Sequence, residues 1–411
     1  MLTDNKNNNE ETAANMKFSR RDFLIVGGVA AAPVIATAAA SSVAAAQNSG
    51  AGNPSSQGNP ASGGKKEILL GLVGETNVNR PEPETAFVKV QPLLDKADVL
   101  FGHFETTLGD NPSDNDDMPD LQYKKGWNHS KPDNARAWKV AGFDAVGVAS
   151  NVSGSVESTV RIMRELDKLG IPHAGIGMNI TEARKPAIVE KNGVKLGLLS
   201  YTSVFYPQFV PALDRKPGAA TVKAAMAIIP SWRTEEMPGA TPEIKTWLDE
   251  KEKALMLEDI AKLRRQADYI VLSNHWGVTD GENVQDYQIE FAHAAIDAGA
   301  DVIMGHHPHR PQGIEIYKGK PIFYSMGNFA FDWWFVRDLL KEGIMAYIAL
   351  ENGATAKVSF VPVCREDESN DIAPLSVNSQ KGTGVIETVR RLSRPFGTKF
   401  EVARDEVVVS V

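Results

Sequence analysis

Two kinds of stretch alternate along this chain. Short apolar runs of strand length (Glu67 to Val73, Asp98 to Phe104, Asp144 to Ala149, Asp268 to Ser273 and Val302 to Met304) each give way to a cluster of glycine and polar residues. Between them lie segments with apolar residues three or four apart, as at Val156, Val160, Met163, Leu166 and Leu169. Continuous apolar runs fit strands buried on both faces, and the three-to-four spacing fits a helix with one buried face. The pattern predicts helices from Glu84 to Leu94, Ala135 to Ala141, Ser155 to Leu169, Glu243 to Gln266 and Gln285 to Ala298. It predicts hairpins from Lys185 to Tyr201, with Asn192-Gly193 at the turn, and from Gly313 to Met326, around Lys318-Gly319. Strands from Gly343 to Glu351 and Ala356 to Val363, a helix from Gly384 to Leu392 and a strand from Glu406 to Val411 complete the chain. The acidic Asp110 to Pro119 segment reads as a loop, and residues 204–240, rich in Pro and aromatics, as irregular. No internal repeat is visible. Strands alternating with helices, then hairpins, place the chain in the α/β class.

Composition narrows the picture. The 411 residues are 42% apolar and 23% charged, as in soluble globular proteins. A formal net charge of -8 argues against a nucleic-acid partner. The single cysteine, Cys364, lies in an apolar run and reads as an inert buried thiol. Ser19-Arg20-Arg21-Asp22-Phe23-Leu24 has the form of a twin-arginine export signal. The apolar run behind it is broken by Gly27, Gly28 and Pro33, too weak for a stable transmembrane span, and Ala44-Ala45-Ala46 resembles a cleavage site. Residues 1–46 are therefore expected to be a signal peptide, with an uncleaved anchor as the alternative, and the expected location is the periplasm or cell exterior. Residues 47–66, rich in Gly, Ser, Asn and Pro, read as a flexible linker. The folded domain is expected over 67–365, with 366–411 as a C-terminal extension packing on or near it.

Polar chemistry gathers where the predicted strands end. These ends carry Glu75 and Asn77, His103 and Glu105, Asn151, His275, and the run Gly305-His306-His307-Pro308-His309. Ligands of open α/β sheets collect at the carboxyl ends of strands. In an extended segment residues two apart share a side, so His307 and His309 are expected to converge and His306 to point away. Carboxylates, an amide and imidazoles are the donors of a two-metal hydrolytic centre. The expected ligands are Glu75, Glu105, Asn151, His275, His307 and His309. Mixed nitrogen and oxygen donors suit divalent Zn, Mn or Fe. The competing reading makes each of them a local turn residue or helix cap, an option most open for Asn151. Trp127, Trp276, Trp333 and Trp334 line a substrate groove or, on the competing reading, pack the core.

These motifs carry a resemblance. Gly74-Glu75, Phe101 to Thr106, Gly142 to Val146, Asn274-His275-Trp276-Gly277, Gly299 to His309 and Tyr324 to Phe329 together resemble the CapA-type poly-gamma-glutamate capsule-synthesis family, a branch of the calcineurin-like metallophosphoesterases. The resemblance spans about residues 67 to 363. It implies a four-layer α/β/β/α sandwich with metals between the sheet edges. Three positions depart from the family pattern. Glu75 stands where the family has Asp, His103 where it has Asn, and Val152 where it has the histidine thought to protonate the leaving group. Valine transfers no proton, and losing a general acid typically costs 10²–10⁴-fold in rate. His103 is thus a candidate catalytic acid, a new ligand or a spectator. Three functions follow. The first is synthesis, handling or anchoring of an anionic surface polymer such as poly-gamma-glutamate, with polymer-synthase partners. The second is a periplasmic metal-dependent hydrolase of phosphoester or amide bonds acting on a small anionic substrate. The third is a non-catalytic binding protein on the same fold.

Overall fold

The computed structural model describes residues 67–110, 130–153, 156–333, 340–366 and 371–411. The segments expected to be an export signal and a linker, Trp127, Trp334 and most of the acidic loop lie outside them. The apolar runs become two sheets. The larger is ordered Phe400–Ala403, Glu406–Val409, Ala354–Arg365, Glu342–Glu351, Glu67–Asn77, Val99–Phe104, Ala145–Gly147, His173–Ala174. The smaller is ordered Ile314–Tyr317, Lys320–Phe323, Val302–His306, Tyr269–His275, Val194–Thr202, Ala187–Lys191. The central strands of each sheet are parallel, so their carboxyl ends lie along one edge. That edge holds the polar clusters.

Leu70, Leu72 and Phe101 of the larger sheet share one core with Leu198, Val271 and Met304 of the smaller. Phe87, Trp138, Ile162 and Leu166 join Leu100 and Val146 in a second core. Met256, Ile260, Phe291 and Ala295 join Leu272 and Ile303 in a third. Residues of opposite parity along each strand thus enter different cores, which is why these strands are apolar throughout. The result is a mixed α/β fold in which the two sheets share one apolar core and each also packs with helices in a further one.

Both long hairpin turns form as expected, with Asn192 and Gly193 at φ 51° and 71°, and Lys318 and Gly319 at φ 52° and 75°. Elsewhere local chemistry overrides periodicity. The helix expected from Glu84 divides into a 3-10 turn, Pro83–Phe87, and a short helix, Gln91–Leu94, that restarts at Pro92. Glu243–Leu248 is a strand, paired antiparallel with Ala224–Ile229. The helix behind it, Glu250–Leu263, begins only where Asp249 accepts the N–H groups of Lys251 and Glu252 at 3.0 and 3.1 Å. Residues 204–240 therefore hold part of a two-stranded sheet rather than only loop. Asn328–Phe331 forms a short parallel strand beside the end of Glu67–Asn77. Ile372–Pro374 and Glu406–Val409 pair with Ala354–Arg365, and the helix Gln380–Leu392 adds Val385, Ile386 and Val389 to the core that the two sheets share. No helix among the described residues is long and apolar enough to cross a membrane.

Candidate metal centre

The segment Tyr324 to Gly327 packs at close range against one strand of each sheet just before the polar loops begin. A β-carbon on Gly74 would lie 2.0 Å from the Gly327 carbonyl oxygen, and one on Gly305 would lie 2.2 Å from that of Tyr324. Only glycine permits these approaches. They bring Glu75 beside His103 and Asn328 in its own sheet, and His275 beside His306 in the other. The backbone N–H of His307 donates to a Glu75 carboxylate oxygen, tying the two sheets together. Beyond His306 the chain is no longer extended, since His307 and His309 take φ values of 91° and 58°. Neither is glycine, and such backbone is held only by its surroundings.

Two donor sets result. Glu75, Glu105 and His309 offer atoms all within 4.8 Å of one another, and so do His103, Glu105 and His275. Glu105 belongs to both. Its Oε1 lies 3.7 Å from His275 Nε2 and 3.9 Å from His309 Nε2. Asn151 Oδ1 approaches the same His275 nitrogen at 3.1 Å. On the far side of each ring a protein group holds the other nitrogen. His275 Nδ1 lies 3.2 Å from His103 Nε2. His309 Nδ1 pairs with Glu75 and sits 2.9 Å from Asn328 Oδ1. His307 Nε2 sits 3.1 Å from Thr279 Oγ1, while its Nδ1 is buried without a hydrogen-bond partner. One nitrogen fixed and one open is how proteins orient imidazole toward a metal ion.

The electrostatics agree. Burial, reinforced by neighbouring imidazoles, pushes His103 and His307 down to about 3 and holds His275 and His306 well below the ordinary histidine value. These rings are neutral and keep a lone pair. Burial raises the Glu75 carboxyl. Burial also works against a charged His309, but the Glu75 and Glu105 carboxylates outweigh it and push that ring up to about 9. Two buried carboxylates demand a positive charge. His309 supplies part of it as a proton, and divalent ions would supply it more fully. The donor set fits such ions: carboxylate, amide oxygen and neutral imidazole, mixed as Zn, Mn or Fe sites require.

The structure gathers every expected ligand at this edge, with differences in detail. Glu75, Glu105, His275 and His309 fall in the two donor sets, and Asn151 reaches them through His275. His307 falls in neither set, although its ring centroid lies 4.7 Å from that of His275. Asn77 serves the scaffold, its Nδ2 donating to the Glu105 carbonyl oxygen at 2.8 Å. His306 does not point away. Its ring stacks on His103 at 4.2 Å and 8°, because the left-handed residues after it break the alternation on which that expectation rests. Trp276 is a core residue, fully buried and donating to the Tyr324 carbonyl oxygen at 2.8 Å. Sequence reasoning passed over Thr279 and Asn328 as partners of the rings. Asn328 had a signal, since it stands in the Gly327-Asn328-Phe329 motif. Thr279 had none.

Comparison with known proteins places this geometry. Residues 64–333, more than half the chain, match the family described as bacterial capsule synthesis protein PGA_cap. The PGA biosynthesis protein CapA of Bacillus subtilis (strain 168) is 28% identical over 340 residues, covering 82% of this chain and 78% of that protein. The capsule biosynthesis protein CapA of Bacillus anthracis is 28% identical over 309 residues, covering 72% of this chain and 65% of that protein. Among solved structures, a hypothetical protein from Thermus thermophilus aligns with 13% identity and a TM-score of 0.38, covering 75% of this chain and 98% of that one. With a family match running through every one of the strand ends described above, the chain belongs to the bacterial capsule synthesis protein family.

Proposed function

We propose that this is an exported member of the family that acts in making, handling or anchoring an anionic surface polymer of the poly-gamma-glutamate kind, through a two-ion centre on a four-layer metallophosphoesterase-like sandwich. The observation that carries the reading is Glu105, a buried carboxylate shared by two donor sets. Glu75, Glu105 and His309 would hold one divalent ion; Glu105, Asn151, His275 and His307 would hold the other. Such ions, when bound, supply Lewis-acid polarisation of a carbonyl or phosphoryl oxygen. The chain carries a net charge of -8, so a polyanion is repelled in general and needs a local positive centre to be held. The carboxylates neutralise the ions only in part and leave that centre attractive to a carboxylate or phosphate. The expected outcome is that protein loaded with Zn²⁺ or Mn²⁺ binds gamma-linked glutamate oligomers and that chelation abolishes the binding. Equal binding with and without metal, measured by calorimetry, would overturn the reading.

Hydrolysis is the second reading, and Val152 sets its limits. Val152 is half-buried at the loop after Ala145–Gly147, and its carbonyl oxygen accepts the Thr107 hydroxyl at 2.7 Å. Its side chain offers no proton. Esters with a good leaving group, such as nitrophenolate, need none, whereas alkoxide or amine leaving groups do. Val152→His is expected to raise the rate on poor leaving groups by about 10²-fold and to change good ones little. Efficient cleavage of unactivated diesters by the wild type would sink the missing-acid argument and make His103 the first residue to test.

A further inference from the structure

We infer that His103, although its ring falls in the second donor set, is a positioning residue: it does not ligate metal but fixes the ring of His275 so that His275 Nε2 faces the second ion. The inference rests on the two-ion reading above and deepens it. Its basis is the direction of the two His275 nitrogens. Nε2 points at Asn151 Oδ1, 3.1 Å away, and Glu105 Oε1, 3.7 Å away. Nδ1 points the other way, at His103 Nε2, 3.2 Å away. For Nε2 to offer a lone pair to an ion, Nδ1 must carry the hydrogen. That N–H then donates to His103 Nε2, which places the His103 hydrogen on Nδ1.

The packing of this corner holds the His103 ring in place for that role. His103 is fully buried, and so is His306, stacked face to face on it at 4.2 Å. Neither nitrogen of His306 and not the Nδ1 of His103 has a hydrogen-bond partner. Burying three such atoms is costly. The stack contributes a flat, wedged imidazole that cannot rotate away from His275. Metal-bound histidines ordinarily give their second N–H to a carboxylate, a carbonyl or water. Here the acceptor is another imidazole, at the position where the family resemblance places an asparagine.

The test uses the full chain, stripped with chelator and titrated with Zn²⁺ alone. His103→Phe keeps the stack on His306 but removes the acceptor. It should leave the first ion unchanged and weaken the second by about 10–100-fold. His103→Gln, whose amide oxygen can take the same hydrogen bond, should recover much of that loss. X-ray absorption at saturating zinc should give the same number of nitrogens per ion in wild type and in His103→Phe. Long-range ¹⁵N spectra of the zinc-loaded wild type should show both His275 and His103 as Nδ1–H tautomers. Unchanged affinity for the second ion in His103→Phe overturns the inference, and so does the loss of one nitrogen at saturation, which would make His103 a direct ligand. If His103→Phe does not fold, the wild-type tautomers decide, since His275 protonated on Nε2 contradicts the assignment outright. A wild type that takes up no zinc overturns the two-ion reading itself and this inference with it.

Discussion

The two ends of the parallel strands use acids in opposite ways: Asp98 and Asp268 at the amino ends are exposed, whereas Glu75 and Glu105 at the carboxyl ends are buried. At the amino ends, four aspartates repeat one device. Asp98, Asp144, Asp268 and Asp301 each accept the backbone N–H of a residue in the neighbouring strand, Leu69, Leu100, Lys195 and Ile270, at 2.8 to 2.9 Å. Each also donates its own N–H to the carbonyl oxygen of that same residue. The acid closes the ladder where the strand begins through backbone partners, to which Asp301 adds Arg264 and Lys320. At the carboxyl ends Glu75 and Glu105 sit among imidazoles, one of them the positively charged His309, that turn a nitrogen toward the carboxylates. An acid at the edge of a sheet does not by itself mark a site. What marks it is donors oriented toward one another with their outer sides fastened.

This contrast predicts opposite mutational signatures. The largest effect is expected at Glu105. Glu105→Gln should weaken both ions by more than about 100-fold, since both donor sets lose their shared oxygen. Glu75→Gln should weaken one ion far more than the other. In chelator, however, Glu105→Gln should unfold at the same temperature as wild type or higher, because it removes one of two neighbouring buried carboxylates. Metal content by elemental analysis and melting in chelator check both halves. Two ions retained by Glu105→Gln would remove the basis for a shared carboxylate.

Next in size is Asp301. Its Oδ2 holds the Ile270 N–H at 2.9 Å and Arg264 at 2.6 Å, and its Oδ1 pairs with Lys320 at 3.0 Å. Asp301→Ala takes the acceptor from the Ile270 N–H and the countercharge from Arg264 and Lys320, which keep backbone carbonyl oxygens as partners, and should cost about 1–3 kcal/mol. Metal affinity should stay at the wild-type value although Asp301 directly precedes the strand that delivers His306. A parallel loss of metal would mean that the two ends are not independent.

The same contrast explains how much was legible beforehand. The strand ends could be found because an apolar run followed by Gly, Glu or His is a local pattern, and Glu75, Glu105, Asn151, His275 and His309 all sit on such runs. The orientation of the rings could not be read. It depends on left-handed backbone at His307 and His309, which a sequence with no glycine there does not announce, and on partners such as Thr279 that are distant in sequence. The long helix expected from Glu243 fails for a related reason. Its charged stretch continues smoothly into Glu250–Leu263, and only the cap at Asp249 and the cross-strand partner Ala224–Ile229 separate strand from helix. Long-range pairing also joins residues 372–374 and 406–409 to the larger sheet, a detail beyond the expected extension packing on or near the domain.

The smallest expected effect separates charge from hydrogen bonding at the amino ends. Burial raises the Asp144 carboxyl above the ordinary aspartate value, and the Leu100 N–H with Lys191 and Lys139 offsets this only in part. A carboxyl raised in the folded state binds its proton more tightly there than when unfolded. Folding is therefore favoured by this group at low pH, and that contribution fades as pH rises from the unfolded value through the folded one. Asp144→Asn keeps an oxygen for the Leu100 N–H, 2.8 Å away in wild type, and discards the charge. At neutral pH it should change stability by less than the about 1 kcal/mol of a typical hydrogen bond, and in the stabilising direction. Its advantage over wild type should shrink as the pH is lowered past the folded value, because the wild-type carboxyl is then neutral as well. Denaturant unfolding of both proteins across that range checks the sign. An amide variant that is clearly less stable at neutral pH would show that the negative charge itself, not the geometry of the acceptor, holds the strand's beginning.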